Sequence, residues 1–255
     1  MESAERPYKI LREMVYNECG INLHEGKLPL LKTRLASRMK AVKISSVSNY
    51  IDLIKKDENE FINFINAVST NHTYFYRENQ HCEYLLSNLD NSKYLKIWST
   101  ACSSGEEPFS IAFQLLDKGY SFDILASDIS TAMLKLAQRG IYHRDKVKLV
   151  PSQILKKYCL KGYNKWKDHV KIKKEVKDLI SFQRHNLITG SLPGLFDVIF
   201  CRNVMIYFNE STKQRVVDKL YQSLRKGGYF VIGAAESLIG LKHRFKYIKP
   251  SIYRK

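Results

Sequence analysis

Three clusters in the second half of the chain carry the residue types of a ligand site. The first, Ser99-Thr100-Ala101-Cys102-Ser103-Ser104-Gly105-Glu106-Glu107-Pro108, follows the apolar run Leu95–Trp98. Proline suits the first position of a helix, which puts Glu107 at a helix mouth. A dinucleotide site would carry G-x-G-x-x-G there, with bare backbone N–H groups facing a pyrophosphate. This loop has one glycine and two carboxylates, which repel phosphate and suit a cation. The second cluster, Ala126-Ser127-Asp128, ends the next apolar run, 23 residues after Gly105. A carboxylate at that position accepts hydrogen bonds from both ribose hydroxyls of a nucleoside. The third, Arg202-Asn203-Val204-Met205-Ile206-Tyr207-Phe208, leaves the run Phe196–Cys201. Its Arg, Asn and Tyr are placed to line a pocket, and an arginine suits an acidic acceptor.

Glu107 and Asp128 each have a plainer reading as helix caps. Their occurrence at neighbouring strand exits favours a ligand. Nucleoside recognition without a phosphate grip, and acids beside a cation, describe S-adenosylmethionine, whose methyl group rides on a positively charged sulfonium. Asn-Pro-Pro-Tyr, which holds an exocyclic base amine in nucleobase methyltransferases, is absent from the third cluster.

Such a site needs an open, mostly parallel sheet, because these sheets bind ligands beyond the carboxyl ends of their strands. From Tyr94 onward strands alternate with helices: strand Leu95–Trp98, helix Pro108–Leu116, strand Phe122–Ala126, helix Ser130–Gln138. Phe196–Cys201 reads as a buried strand. Glu210–Leu224 reads as an amphipathic helix stopped by Gly227-Gly228 before the strand Tyr229–Ile232. Phe245–Ile248 and Ser251–Tyr253 predict a closing hairpin around Pro250. The alternation predicts a mostly parallel sheet covered on both faces. Between Lys156 and Asn186 it lapses. His169–Lys173 and Leu179–Phe182 predict antiparallel strands of a small inserted subdomain.

The first 90 residues read as helices. One runs from Tyr8 to Cys19 and stops at Gly20. In the next, Leu28, Leu31, Leu35 and Met39 share a face, with Lys27, Arg34 and Arg38 as a basic ridge beside it. Ser45–Lys55 and Glu58–Val68 follow, and a helix from about Glu78 to Leu89 leads into the second domain. The expected organisation is therefore a helical domain over 1–77, a linker helix over 78–93, and an α/β domain over 94–255 with an insert at about 156–186.

The 255 residues are 44% hydrophobic, enough for a real core, and carry a net charge of +17. All of the excess lies after residue 90, and Tyr142–Lys177 alone has a surplus of nine basic residues. A basic surface steers acidic partners. The five cysteines never pair as C-x-x-C, and the seven histidines make no H-E-x-x-H, so no disulfide framework and no metal is expected. No run approaches a membrane span, and the acidic start Met1–Glu5 lacks a signal-peptide core, so a cytoplasmic, non-membrane chain is expected.

Five blocks in order then resemble the chemotaxis receptor glutamate O-methyltransferases (CheR-type), over nearly the whole chain. They are Thr70–Glu78, Trp98–Ala112, Ala126–Ile129, His185–Leu187 and Phe196–Phe208. The resemblance implies a fold: a small all-helical N-terminal domain plus a Rossmann-like S-adenosylmethionine-dependent methyltransferase domain with a small antiparallel β insert. It implies a donor site made by Asn71, Thr73, Arg77, Glu107, Asp128, Asn186, Leu187, Arg202 and Asn203, with Asp128 at the ribose and Asn186 and Leu187 by the adenine. Arg77, Arg202 and Tyr207 would serve transfer of the methyl to a receptor glutamate, and S-adenosylhomocysteine would be the product. The basic helix, with Lys27, Arg34 and Arg38, would meet the cytoplasmic domain of methyl-accepting receptors. The insert could take a receptor's C-terminal peptide as an added strand, although Gly162–Lys167 is bulkier and more basic than the glycine-rich turn of a peptide binder. The protein would act as a monomer recruited to membrane receptors, without nucleic acid.

A free glutamate, with a pKa of ~4.3, is ionised at neutral pH and needs no general base. The chain must then supply in-line alignment and exclusion of water. Spacing does not divide the roles of Arg77 and Arg202. Two other readings stand beside this one: a nucleic-acid methyltransferase, invited by the charge, and a donor-binding signalling module without turnover.

Overall fold

The computed structural model describes residues 2–255; Met1, the first residue of the expected helical domain, lies outside them. Four helices open the chain: α1 (Glu2–Cys19), α2 (Leu28–Ala41), α3 (Val47–Lys56) and α4 (Glu58–Val68). Each end has a local cause. Gly20, at φ +67°, ends α1 in the left-handed conformation glycine adopts without strain. Ser46 and Asp57 cap α3 and α4 by accepting from the Asn49 and Glu60 N–H groups. The core of this domain joins Leu11 and Val15 of α1, Leu31, Leu35 and Met39 of α2, Tyr50 and Ile54 of α3, and Phe64, Ile65 and Val68 of α4.

The basic ridge is corrected at two of its three positions. Arg38 forms a two-pronged pair with Glu60, which is only 4% exposed and also accepts from the Tyr50 hydroxyl at 2.7 Å. Arg34 donates to the Ala67 and Ser69 carbonyls at 2.7 and 2.5 Å, satisfying the end of α4. Helical periodicity places both arginines on one face. The structure turns their charge inward, because a buried glutamate and a buried helix end need donors. Lys32 and Lys40 are the residues of α2 that stay exposed as cations.

A short helix α5 (Gln80–Leu86) follows the linker, and then β1 (Tyr94–Thr100), α6 (Glu106–Asp117), β2 (Ser121–Asp128), α7 (Thr131–Arg139), β3 (Ile141–His143), α8 (Ser152–Tyr158), β4 (Cys159–Lys161), β5 (His169–Ile172), α9 (Lys174–Lys177), β6 (Ile180–Arg184), β7 (Phe196–Cys201), α10 (Glu210–Ser223), β8 (Leu224–Ile232), β9 (Lys246–Lys249) and β10 (Ile252–Arg254). The main sheet has the order β6-β2-β1-β7-β8-β10-β9. Its first five strands are parallel and the terminal hairpin is antiparallel. One face packs on α6 and the inserted region, through Phe109, Phe113, Ile124 and Phe200. The other packs on α10, through Ile199, Val216, Leu220 and Phe230. From β1 the chain steps outward to β2 and then β6, and returns to the other side of β1 as β7. The β1/β7 border is therefore the point of reversal where such sheets open a crevice.

Four local expectations change. The stretch Ile180–Phe182 is not part of the insert: β6 pairs in parallel with β2, from Ile124↔Ile180 to Asp128↔Arg184, and forms the sheet edge. An edge strand with one covered face alternates as an antiparallel strand does, so its pattern alone is ambiguous. The small sheet has instead the order β3-β5-β4, so the insert begins at Ile141, before residue 156. The linker helix starts at Gln80 rather than Glu78, because Glu78 is held at φ +49°. Finally, α10 passes directly into β8, and Gly227 (φ +80°) and Gly228 sit in an irregular pairing with β7 rather than beyond a helix end.

The Arg38–Glu60–Tyr50 cluster generates a stability prediction. Burial works to raise the Glu60 carboxyl, but Arg38, Tyr50 and Asn63 together hold it below the usual range. Glu60→Ala should cost roughly 2–4 kcal/mol, less than a fully buried pair because Arg38 stays partly exposed. Since the folded pKa is lowered, this contribution is complete above the ordinary carboxylate range of about 4 and disappears as pH falls through the folded value. Urea unfolding of both proteins across acid pH checks both statements: their difference should shrink on acidification.

Candidate active site

The linker is anchored before it contributes anything. Phe75, fully buried, stacks on Phe113 and meets Tyr142 edge-on at 4.9 Å. The Tyr76 N–H donates to Ser110 of α6 at 3.0 Å. These contacts pin Thr70–Asn79 across the carboxyl ends of β1 and β7, and a cleft of ≈ 1150 Å³, open mouth included, lies between the linker and the sheet.

All ten residues expected at the donor and transfer site line this one cleft: Asn71, Thr73, Arg77, Glu107, Asp128, Asn186, Leu187, Arg202, Asn203 and Tyr207. The backbone there is under tension. Of the eight non-glycine residues with positive φ among the described residues, five border the cleft: Tyr76, Glu78, Ala101, Ser103 and Asn203. Clustering of such conformers is characteristic of sites whose surroundings over-determine the backbone. The single glycine of the β1–α6 loop has a specific reason as well. Gly105 sits at φ +94°, and a Cβ there would lie 2.8 Å from that of Ala137. Helix α6 begins at Glu106 rather than Pro108, so Glu107 belongs to its first turn and its side chain is free to face the sheet.

Arg202, at the exit of β7, joins three elements. It donates to Glu107 of α6 at 3.0 Å, to Glu78 of the linker at 3.2 Å and to the Arg77 carbonyl at 2.5 Å. Its side chain is 6% exposed, and its Nε–H is buried without a partner. Burial raises the Glu107 carboxyl, opposed by Arg202 and by the Ser99 hydroxyl, which donates at 2.7 Å. Burial likewise works to raise Glu78, but Asn203, Arg202 and the Ala234 N–H hold it below the usual range. Arg202 is thus already matched to two carboxylates.

Arg77 differs: it donates to the His72 carbonyl at 2.8 Å, lies over the Tyr74 ring and keeps 23% of its side chain exposed. Of the two arginines, Arg77 keeps capacity for a further anion. Tyr207 is half-buried at the rim; its carbonyl accepts from the Asn22 N–H at 2.8 Å and the Lys27 ammonium lies 4.7 Å from its ring centre. Of the expected basic ridge, Lys27 is the residue placed beside the cleft.

Asp128 ends β2 with each carboxylate oxygen accepting one backbone N–H, from Ser103 at 2.7 Å and Ser130 at 2.8 Å. Burial raises its pKa, against those two donors and the Ile129 N–H. Each oxygen keeps lone-pair capacity for a hydroxyl. Asn186, which lines the cleft, is also bonded within the protein: its amide donates to the Glu18 carbonyl, while its oxygen accepts from the Ile188 N–H at 2.9 Å. It ties α1 to the loop that carries Leu187.

Glu78 is the functional residue that residue-by-residue reading passed over. It stands inside a recognised block, yet only the fold brings it to Arg202 and Asn203. His81, buried and 3.7 Å from Glu78, is pushed down to about 4 by burial and by Arg202, so it is neutral at physiological pH. The cleft holds three carboxylates (Glu78, Glu107, Asp128) against two guanidiniums (Arg77, Arg202), which suits a ligand of net positive charge. The residues therefore fit S-adenosylmethionine: a carboxylate with free lone pairs for the ribose, acids for the cationic end, and donor capacity on Arg77 for its carboxylate.

Asp128→Asn should weaken donor affinity at least ~10-fold, the loss of charge-assisted hydrogen bonds worth about 1.5–3 kcal/mol. In the wild type, affinity should fall on acidification from a pH above the ordinary carboxylate range of about 4, because the folded pKa of Asp128 is raised and its protonated form accepts fewer hydrogen bonds. Calorimetric titration with S-adenosylhomocysteine across pH measures both.

The family model described as the SAM binding domain of CheR methyltransferase matches residues 71–254, and that of the CheR all-alpha domain matches residues 6–69. The chemotaxis protein methyltransferase of Borreliella burgdorferi is 36% identical over 96% of this chain and 92% of its own length. Chemotaxis protein methyltransferase 2 of Pseudomonas aeruginosa is 34% identical over 96% and 91%. The Escherichia coli chemotaxis protein methyltransferase is 32% identical over 96% and 89%. The chain belongs to the CheR methyltransferase family, with both its all-helical and its S-adenosylmethionine-binding domain, and is an S-adenosylmethionine-dependent methyltransferase.

Proposed function

We propose that this protein methylates glutamate side chains in the cytoplasmic domain of methyl-accepting chemotaxis receptors, forming methyl esters. The observation that carries the reading is the convergence of Glu107, Asp128 and Arg202, from the exits of three adjacent parallel strands, on a cleft with Arg77 and Tyr207. Relatives named chemotaxis protein methyltransferase support the substrate class. No helix among the described residues is long and apolar enough to cross a membrane, in keeping with action on the cytoplasmic part of a receptor.

When bound, S-adenosylmethionine would supply an activated methyl carbon to the acceptor oxygen, with the sulfur as leaving group taking the electron pair of the broken bond. The chain's own residues do the remainder. Asp128 accepts from the ribose hydroxyls, and Glu107, with Glu78 behind it, offsets the positive charge. Arg202 keeps those carboxylates ionised and oriented despite their burial. Arg77 steers the acidic side chain inward, and the hydroxyl of Tyr207, which lines the same cleft, donates to it. No base is required, since a glutamate with a pKa of ~4.3 arrives ionised. The linker and the rim residues Lys27 and Tyr207 exclude water, which raises the reactivity of the desolvated carboxylate.

The same reading assigns Lys27, with the exposed Lys32 and Lys40, to contact with the receptor's acidic surface, and leaves Arg34 and Arg38 with structural roles. The small sheet has free edges at β3 and β4. A receptor's C-terminal peptide added to one of them would be an auxiliary tether.

Incubation with methyl-labelled donor and a receptor cytoplasmic fragment, followed by base, tests the chemistry. Carboxyl methyl esters release volatile labelled methanol; N-methyl or nucleobase products do not, and label retained after base would overturn the reading. Arg77→Ala and Tyr207→Phe should each lower the transfer rate by ~10–100-fold, as expected for groups that orient or stabilise the reacting pair. Tyr207→Phe should leave donor affinity within ~3-fold, since the hydroxyl acts on the acceptor.

A further inference from the structure

The loop that carries Arg202, Asn203 and Tyr207 is held by a residue outside every block that made the site legible. Glu236 lies beyond the exit of β8, and its carboxylate accepts four backbone N–H groups. Oε2 takes Gly233 at 2.6 Å and Asn203 at 2.9 Å, and Oε1 takes Met205 at 2.7 Å and Ile206 at 3.3 Å. Three of these donors belong to the site loop, where the left-handed Asn203 (φ +58°) opens a turn that brings the N–H groups of Asn203, Met205 and Ile206 to one carboxylate. A concavity of backbone N–H groups binds anions. Here the anion is a side chain of the same protein. The approach is close: a Cβ on Gly233 would lie 2.6 Å from Asn203 Nδ2 and 2.9 Å from its backbone N.

The two ends of the loop are held by different carboxylates, with Glu78 reaching both through the Asn203 side-chain amide at 3.2 Å and the Ala234 N–H at 2.9 Å. Glu78 and Glu107 grip Arg202 at its start. Glu236 grips the stretch from Asn203 to Ile206, immediately before Tyr207. We infer that Glu236 is a positioning residue for methyl transfer: its carboxylate sets the loop conformation that delivers Tyr207 to the acceptor, while Arg202 and Asp128 in the donor half of the cleft keep partners of their own. The inference rests on the proposed transfer reaction.

A carboxamide in its place puts an NH₂ group against N–H donors. Glu236→Gln should therefore lower kcat for receptor-fragment methylation by ~10–100-fold, the scale of sub-ångström to 1 Å misplacement at a reacting centre. The affinity for S-adenosylhomocysteine should fall by much less than kcat, because Arg202 and Asp128 keep their partners and only Asn203 among the donor-site residues loses one. Adding Tyr207→Phe to Glu236→Gln should cost little more than either alone, since both act through one hydroxyl. An unchanged kcat, a parallel loss of donor affinity, or multiplicative effects in the double variant would each overturn the inference. If Glu236→Gln does not fold, hydrogen exchange on the wild type decides: Met205 and Ile206 amides protected as ordered hydrogen-bond donors support the clamp, and exchange at open-loop rates refutes it. Failure of the wild type to form base-labile methyl esters is a separate result, which would overturn the proposed reaction while leaving the exchange measurement meaningful.

Discussion

A guanidinium removed from water must be compensated, and the way Arg202 is compensated organises the second domain. Its partners come from elements far apart in sequence: Glu107 from the first turn of α6, Glu78 and the Arg77 carbonyl from the linker. Two nearly buried carboxylates and one buried cation stay charged together only because each is the other's solvent. Three backbone segments are thereby fixed relative to one another at the point where strand order reverses. The donor cleft is the space that remains between them.

This constraint explains why the linker between the domains is so irregular. Glu78 sits at φ +49° and Tyr76 at φ +60°, while Phe75 between the site and the core is fully buried. A regular helix through these residues would rotate Glu78 away from Arg202. The aromatic anchor supplies the packing that holds the unfavourable conformers in place. The loop after β7 shows the same arrangement, with Asn203 left-handed and its neighbours tied to carboxylates.

Charge in the helical domain is managed by the same physics for a different purpose. Arg34 and Arg38 close the C-terminal end and the buried glutamate of α4, so the helical domain is stiffened by residues that look, in projection, like a binding surface. The domains are also joined through groups near the cleft. Asn22 donates to the Tyr207 carbonyl, and Asn186 to that of Glu18. These two bonds tie α1 and its following loop to the rim residue Tyr207 and to the loop that carries Leu187.

The residues by themselves determined the alternation of strands and helices after Tyr94, the acids at two neighbouring strand exits, and a helical domain ahead of them, because hydrophobic period and turn chemistry are local properties. They also placed Glu107, Asp128, Arg202, Asn203 and Tyr207 at strand exits, where a parallel sheet must place a ligand, whereas Asn71, Thr73, Arg77, Asn186 and Leu187 entered only through the family resemblance. Only the tertiary structure decided which charges stay available. Arg77 and Arg202 have the same side chain, and they differ because Arg77 bonds a carbonyl of its own linker, whereas Arg202 meets Glu107 and Glu78, 95 and 124 residues away. Ile180–Arg184 alternates equally well as part of a small antiparallel insert or as a parallel edge, and pairing with β2 settled it. Glu236 has no periodicity or motif to mark it, since its role is to accept from backbone N–H groups that every residue but proline carries. Long-range pairing of charges and backbone donors depends on how segments meet in space, which local spacing does not encode.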